Sequence, residues 1–376
     1  MELKDKMPFN RACVEGKDMT YIAEAIERMH ISGDGTFTKR CQSFLQDRLG
    51  KGRVYLTTSC TDALEMSSIL LDIKPGDEFI APSFTFVTTI NSFVLRGAKP
   101  VFVDIRPDTL NMDERLLERS ITSRTKAIIP VHYAGVGCEM DSILDIAKRH
   151  GIPVVEDNAH GLLGKYRGEY LGTMGCLATQ SFHETKNITC GEGGALIVND
   201  GKLVERAEVI REKGTNRSRF LRGQVDKYSW VDVGSSFLPS DILAAFIFGQ
   251  LEEIDRIQER RRCVWNYYDG IIQDWARRNG ARTPFVPEHC EQSYHMYYLL
   301  MPPLDERQDL IGRLRSKNIF SVFHYLPLHL SEMGRSFGGK EGDCPVTEDI
   351  CDRLVRLPFY NNLSKSEQDR IVDALE

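Results

Sequence analysis

No stretch of the 376-residue chain approaches the roughly 20 consecutive apolar residues that a membrane-spanning helix needs. The opening Met1-Glu-Leu-Lys-Asp-Lys6 also has none of the apolar core that marks a signal peptide, so a cytoplasmic protein is expected. The ten cysteines, at 13, 41, 60, 138, 176, 190, 263, 290, 344 and 351, never form a Cys-x-x-Cys pair. Reduced thiols are expected, with no zinc site and no disulfide framework. Positive charge is in deficit: 48 Lys and Arg face 54 Asp and Glu, a formal net charge of −6. That balance argues against a general nucleic-acid binder and leaves room for an anionic small ligand held by local groups. Internal repeats and low-complexity segments are also missing. What is present is an ordinary globular composition, 41% hydrophobic and 27% charged, with material for two or three domains by length.

From Met1 to about Arg53 the pattern is helical and amphipathic, broken at Ile31-Ser-Gly-Asp-Gly-Thr36 by turn residues. Short apolar runs then alternate with helical ones. Strands are expected at Val54–Leu56, Glu78–Ala81, Pro100–Val103, Ala127–Val131 and Pro153–Val155, and helices at Ala63–Leu71, Val87–Leu95 and Met140–Lys148 between them. Such alternation means parallel βαβ units, an α/β fold whose ligands gather at the carboxyl ends of the strands. A helical run from Ile242 to Arg262 leads into a second domain, 251–376, with strand-like Tyr297–Leu300 and Phe320–Phe323, after a first domain of 1–250.

The chain is organised around Ala178-Thr-Gln-Ser-Phe-His-Glu-Thr-Lys-Asn-Ile-Thr-Cys-Gly-Glu-Gly-Gly-Ala195. Ala178–Phe182 and Ala195–Val198 read as strands, and Gly191, Gly193 and Gly194 mark a tight reversal, which leaves Lys186 at the bend. A lysine is a cation at neutral pH with a pKa near 10.4, so attack on a carbonyl needs partial burial. Lys186 is a candidate Schiff-base lysine on that ground, and a solvated surface lysine on the usual statistics of exposure.

The residues after the other strands complete a candidate site. Thr57-Thr-Ser-Cys-Thr-Asp-Ala-Leu64 puts hydroxyl residues at a helix start, either a cap by Ser59 or Thr61 or a place for phosphate. Pro82-Ser-Phe-Thr-Phe86 puts an aromatic at the mouth of the sheet, for stacking on a flat ring or for the core. Glu156-Asp-Asn-Ala-His160 puts a carboxylate where it pairs with a protonated heterocyclic nitrogen or caps a helix. The segment Lys213–Lys227 concentrates Lys213, Arg217, Arg219, Arg222 and Lys227, as a site for an anionic substrate or a solvated charge run.

These signals stand in the order that pyridoxal phosphate (PLP) chemistry would use. With Gly33-Asp-Gly35, Pro82-Ser-Phe-Thr-Phe-Val87, Val131-His-Tyr-Ala-Gly135, Ser181-Phe-His-Glu-Thr-Lys-Asn187, Arg211-Glu-Lys-Gly-Thr-Asn-Arg-Ser218, Gly223-Gln-Val-Asp-Lys-Tyr228 and Val322-Phe-His-Tyr325, the chain resembles the DegT/StrS sugar-nucleotide aminotransferases over essentially its whole length. The resemblance implies a fold type I PLP-dependent aminotransferase, with a mostly parallel seven-stranded sheet flanked by helices and a smaller α+β C-terminal domain. It implies that Lys186 carries the cofactor, Asp157 partners the pyridine nitrogen, Phe86 stacks on the ring and His160 lies near the ring hydroxyl. Cys60, Thr61 and Ser181 would bind the phosphate. Two departures are visible: Gly234-Ser-Ser-Phe237 stands where many relatives have Gly-Tyr-Asn-Tyr, so Ser236 replaces an Asn that reaches the phosphate across a dimer interface, and Asn158 stands where Ala or Cys is usual.

The implied activity moves an amino group from an amino acid, L-glutamate, to C4 of a dTDP-4-keto-6-deoxyhexose in a homodimer with shared sites. Arg217, Arg219, Arg222 and Lys227, with His329 from the second domain, are the expected contacts of the sugar-nucleotide diphosphate. Relatives that dehydrate 4-keto-sugars carry His in place of the lysine, and a non-catalytic relative would be expected to lose the lysine or the aspartate. This chain has both Lys186 and Asp157.

Overall fold

The computed structural model describes residues 6–376, so the expected helical character of residues 1–5 lies outside the described residues. Helices α1 (Asp18–Glu27) and α2 (Thr36–Leu49) open the fold. Residues 6–17 are largely irregular, which corrects the expectation of helix throughout the N-terminal segment. The Gly-Asp-Gly loop ends at the start of α2, where Asp241 accepts from the Phe37 and Thr38 amides at 3.1 and 2.8 Å. A carboxylate from a distant helix thus serves the unpaired amides of a first turn.

Then strands and helices alternate: β1 (Arg53–Thr57), α3 (Cys60–Leu70), β2 (Glu78–Pro82), α4 (Val87–Val94), β3 (Lys99–Val103), β4 (Thr125–Ile128), α5 (Met140–His150) and β5 (Val155–Asp157). β6 (Leu177–Ser181) and β7 (Gly194–Val198) close the series. The strand expected at Pro153–Val155 begins two residues later and ends on Asp157 itself, because Val155–Asp157 pairs with Leu177–Thr179.

The hydrogen-bonded order is β1-β7-β6-β5 in one part and β3-β2-β4 in the other. Two parallel bridges, Ile128 with Val154 and Val131 with Asp157, join them into seven strands. β7 runs antiparallel to both neighbours and the other pairings are parallel. β6 and β7 lie inside the sheet with neighbours on both sides, and both are buried at every residue.

Helices α6 (Val204–Arg211) and α7 (Arg217–Leu221) follow, then α8 (Asp241–Glu252) and α9 (Ile254–Arg278). The single helical run expected over 242–262 is two helices parted at Glu253, whose amide turns back to the Gln250 and Leu251 carbonyls. Along α9, buried Val264, Trp265, Tyr268, Ile272, Trp275 and Ala276 recur at helical spacing. They build an apolar core with Tyr297, Leu299, Leu310, Leu314, Val355, Leu357 and Ile371. Within it β8 (Tyr298–Leu300) pairs antiparallel with β9 (Leu354–Arg356). The strand expected over 320–323 is reduced to a single bridge from Val322 to Arg356. Among the described residues no helix is long and apolar enough to cross a membrane.

Candidate active site

The carboxyl ends of β1, β2, β5 and β6 open on one cavity of about 390 Å³, where an open parallel sheet places its ligands. Its lining includes Cys60, Thr61, Phe86, Asp157, His160, Ser181 and Lys186, residues spread over more than a hundred positions of sequence.

β6 and β7 form the antiparallel pair that carries Lys186 on its connection, held at the base by Phe182 N to Gly193 O at 2.8 Å. The Lys186 amide donates to His183 O at 2.9 Å, which turns the side chain off the strand. Lys186 keeps some surface toward the cavity, yet protein encloses its amine. Burial pushes its pKa down to about 8, and Arg356 acts in the same direction. A useful fraction of the amine is therefore neutral and nucleophilic near neutral pH.

β1 ends at the start of α3, where the Ser59 hydroxyl caps the Asp62 amide at 3.0 Å. The Cys60 and Thr61 amides, in the first turn, have no preceding helical carbonyl to bind and stand at the positive end of the helix dipole. Gly194 starts β7 against this turn, where a Cβ would come within 2.4 Å of the Cys60 nitrogen, so only glycine allows the approach. Burial, and then the Asp157 charge, push the Cys60 thiol up to about 12. It is a neutral group in the cavity wall rather than a nucleophile.

Asp157 is 5% exposed, accepting from Thr89 Oγ1 at 2.7 Å and from the Ala159 amide at 3.1 Å. No Lys, Arg or His lies within ion-pair distance of it among the described residues. A buried carboxylate without a cationic partner is costly, and a protonated ring nitrogen in the cavity would relieve it.

His160 stacks on His295, with ring centroids 4.2 Å apart, and its buried Nδ1 has no protein partner. Asn187 donates to Ser293 O and so offers its carbonyl to His295 Nδ1 at 2.9 Å. Burial, with Lys186 and Arg356 nearby, pushes both imidazoles well below their ordinary pKa, so they are neutral. Phe86 is 56% exposed at the cavity mouth, its ring 6.4 Å from that of Tyr325.

These residues fit pyridoxal phosphate. The free first-turn amides suit its phosphate, the uncompensated Asp157 its pyridinium, the orphaned His160 Nδ1 its hydroxyl, and the low-pKa Lys186 its aldehyde.

The other residues expected at the site lie elsewhere within this chain. His329 is wholly buried away from the cavity, with Nδ1 bound to Ser83 Oγ at 2.7 Å and Nε2 to Glu348 at 3.0 Å. Both nitrogens are engaged, which corrects its assignment to substrate. Arg217, Arg219 and Arg222 are surface groups paired with Glu212, Glu205 and Glu208. Lys227 and Ser236 are exposed, and none of these five lines the cavity of its own chain.

The cavity also holds Thr85, His183, His295, His324, Tyr325 and Arg356. Sequence reasoning did not assign them. His324 and Tyr325 stand in a stretch that carried the family resemblance, whereas Arg356 has no local signal.

The sequence model of the DegT/DnrJ/EryC1/StrS aminotransferase family matches residues 12–376. The chain is 31% identical over 380 residues to the spore coat polysaccharide biosynthesis protein SpsC of Bacillus subtilis, covering 98% of this chain and 96% of that one. Among solved structures, Spr1654 of Streptococcus pneumoniae in its PLP form matches with a TM-score of 0.90 at 26% identity, covering 98% of this chain and 97% of that one. PseC of Helicobacter pylori, an aminotransferase involved in the biosynthesis of pseudoaminic acid, matches with a TM-score of 0.89 at 25% identity and 98% coverage of both chains.

Proposed function

The chain belongs to the DegT/DnrJ/EryC1/StrS aminotransferase family of PLP-dependent sugar aminotransferases, and from that premise we propose that it aminates dTDP-4-keto-6-deoxy-D-glucose at C4. The donor is L-glutamate and the product a dTDP-4-amino-4,6-dideoxyhexose for a cell-surface polysaccharide such as O-antigen or enterobacterial common antigen, made in the cytoplasm. The sequence motifs support this reading, because they resemble those of dTDP-4-amino-4,6-dideoxygalactose transaminase. The observation that carries the chemistry is Lys186, an enclosed amine with its pKa pushed down to about 8, on one cavity with Asp157.

When bound, the cofactor supplies an electron sink that stabilises negative charge at the carbon losing its proton. Lys186 removes the proton from Cα of the donor and, in the second half of the reaction, delivers one to C4 of the sugar. Asp157, oriented by Thr89 and the Ala159 amide, holds a proton on the ring nitrogen. The Cys60 and Thr61 amides, with Ser181, bind the phosphate. Phe86 packs on the ring, and neutral His160 turns its free nitrogen to the ring hydroxyl.

A two-fold homodimer belongs to the same proposal, with residues 214–237 reaching the neighbouring cavity. Arg217, Arg219, Arg222 and Lys227 then contact the diphosphate, and Ser236 the cofactor phosphate. The exposed Phe220, Leu221, Tyr228 and Trp230 on that segment support a covered surface. Residues 1–250 would form the large domain and 251–376 the small one, supported by the apolar core built on α9.

Incubation with dTDP-4-keto-6-deoxyglucose and glutamate, followed by NMR of the sugar, tests the reading. An amine at C4 is expected, and the absence of amination of any 4-keto-sugar nucleotide would overturn it.

A further inference from the structure

The side chain of His160 is buried, yet it makes no hydrogen bond to protein among the described residues, and its Nδ1 has no partner. A ring held by no hydrogen bond takes its tilt from packing. Its nearest ring is that of His295, face to face with it, the centroids 4.2 Å apart and the planes 17° from parallel. Tyr133 meets it edge-on at 5.9 Å, and His324 is farther, at 6.1 Å.

His295, by contrast, is held at both ring and backbone. Asn187, next to Lys186, donates through Nδ2 to Ser293 O at 2.7 Å, so its Oδ1 faces His295 Nδ1 at 2.9 Å. The proton of neutral His295 therefore sits on Nδ1. From α9, buried Arg261 donates to Tyr294 O at 2.9 Å and to His295 O at 2.6 Å, and Gln258 donates to Ser293 O at 3.0 Å. Ser293 Oγ in turn donates to the His160 carbonyl. Gly135 permits this approach, because a Cβ there, at φ +82°, would come within 1.8 Å of Ser293 Oγ. Segment 293–295 thus grips His160 at its backbone and its ring, and is itself gripped by the loop of Lys186 and by α9.

The stack requires uncharged partners. Burial, and then the charges of Lys186 and Arg356, push both imidazoles well below their ordinary pKa, with His160 and Arg261 adding to the effect on His295. Neutral rings stack at this distance, whereas two imidazolium ions would repel.

We propose that His295 is a positioning residue for the hydroxyl of the cofactor ring: its plane sets the tilt of His160 and so aims the free nitrogen of His160 at that hydroxyl. The assignment rests on the reading above in which His160 serves the hydroxyl. It also accounts for Arg261, a buried cation outside the cavity lining.

The test follows the visible absorbance of bound cofactor through a pH titration of the PLP-loaded parent, His295→Ala and His295→Phe, with thermal unfolding of each. His295→Ala removes the stack and should move the midpoint of the visible transition by about one pH unit, the scale of one hydrogen bond. It should also weaken PLP binding to the cofactor-free protein about 5- to 10-fold. His295→Phe restores a flat ring without the bond to Asn187, so its midpoint should stay within about 0.3 unit of the parent's while its melting temperature falls. A purely structural role would lower the melting temperature of both variants and move the midpoint of neither. His160→Ala should itself move the midpoint by about one unit, and His295→Ala added to it should move it no further, because the effect runs through His160. If His295→Ala does not fold, His295→Leu, near the imidazole in volume but not flat, carries the test with the same expected shift.

A midpoint within about 0.3 unit of the parent's in folded, loaded His295→Ala overturns the proposal, as do equal shifts in the Ala and Phe variants or a full further shift in the His160→Ala background. If His160→Ala leaves the midpoint unmoved, the placement of His160 at the hydroxyl fails and this proposal with it. If the parent aminates no keto-sugar, the substrate reading fails, while the absorbance series still decides the role of His295.

Discussion

Glu156 and Asp157 are adjacent at the end of β5, yet their carboxylates serve opposite faces of the sheet. Asp157 looks into the cavity with Thr89 behind it. Glu156 is wholly buried on the other face, where it accepts from His132 Nε2 at 2.9 Å and from the amides of Gly172, Met174 and Gly175 at 2.8, 2.8 and 2.6 Å. The alternation of side chains along a strand makes this division. One acid ties a loop to the sheet so that its neighbour can be presented to a ligand.

That anchoring is testable through stability. Burial opposes ionisation of Glu156, but His132 and the three amides overcome it and hold its pKa below the ordinary carboxylate value. The unfolded chain then binds the proton more readily, so the stabilisation is fully present above about pH 4.3 and is lost as pH falls through the lower folded value. His132→Ala should cost about 3–5 kcal/mol by leaving a buried charge short of a partner. Urea unfolding at pH 7 measures it, and a change below about 1 kcal/mol would contradict the role.

Asp157→Asn should retain the fold and bound cofactor while slowing amino transfer about a hundredfold or more, because an amide cannot hold the pyridinium proton by charge. Steady-state rates within a few-fold of the parent would remove Asp157 from the mechanism.

Lys186 should react with an acylating reagent in the cofactor-free protein with a midpoint near pH 8, since burial lowers its pKa to about that value. Exposed lysines should show midpoints near 10.4. Mass spectrometry across a pH series reads both. In the loaded enzyme, borohydride reduction should fix the cofactor to Lys186, and Lys186→Ala should yield no such product. An unchanged adduct on another lysine would refute the assignment.

Mixing Lys186→Ala with a chain mutated at Arg217, Arg219 and Arg222 should restore activity, if residues 214–237 complete the neighbouring site. Each hybrid dimer would hold one intact site and so show about half the parent's rate. Hybrids that form without gaining activity would confine the basic segment to its own subunit.

His329→Ala should destabilise the fold by about 1–3 kcal/mol, the cost of stranding a buried polar partner. The imidazole ties Ser83, two residues before Thr85 in the cavity wall, to Glu348. A contact role without this tie would instead raise the KM for the sugar nucleotide and leave chemical unfolding unchanged.

The sequence by itself determined the alternation of strands and helices, the glycine-rich reversal that carries Lys186, and the hydroxyl-rich start of α3. Those features are local: periodicity, turn chemistry and capping act over a few residues, and they survive in a one-dimensional reading. It also marked Asp157 and Phe86, because in a parallel sheet the ends of successive strands share one rim. Tertiary structure decided the rest. His295, His324, Tyr325 and Arg356 join the cavity only because the core on α9 brings β8 and β9 against the large sheet, and no local pattern near Arg356 announces that approach. His329 shows the converse. A histidine that reads as a contact becomes a buried tie once Ser83 and Glu348 fold around it, since a ring nitrogen taken out of water must find a partner within the protein.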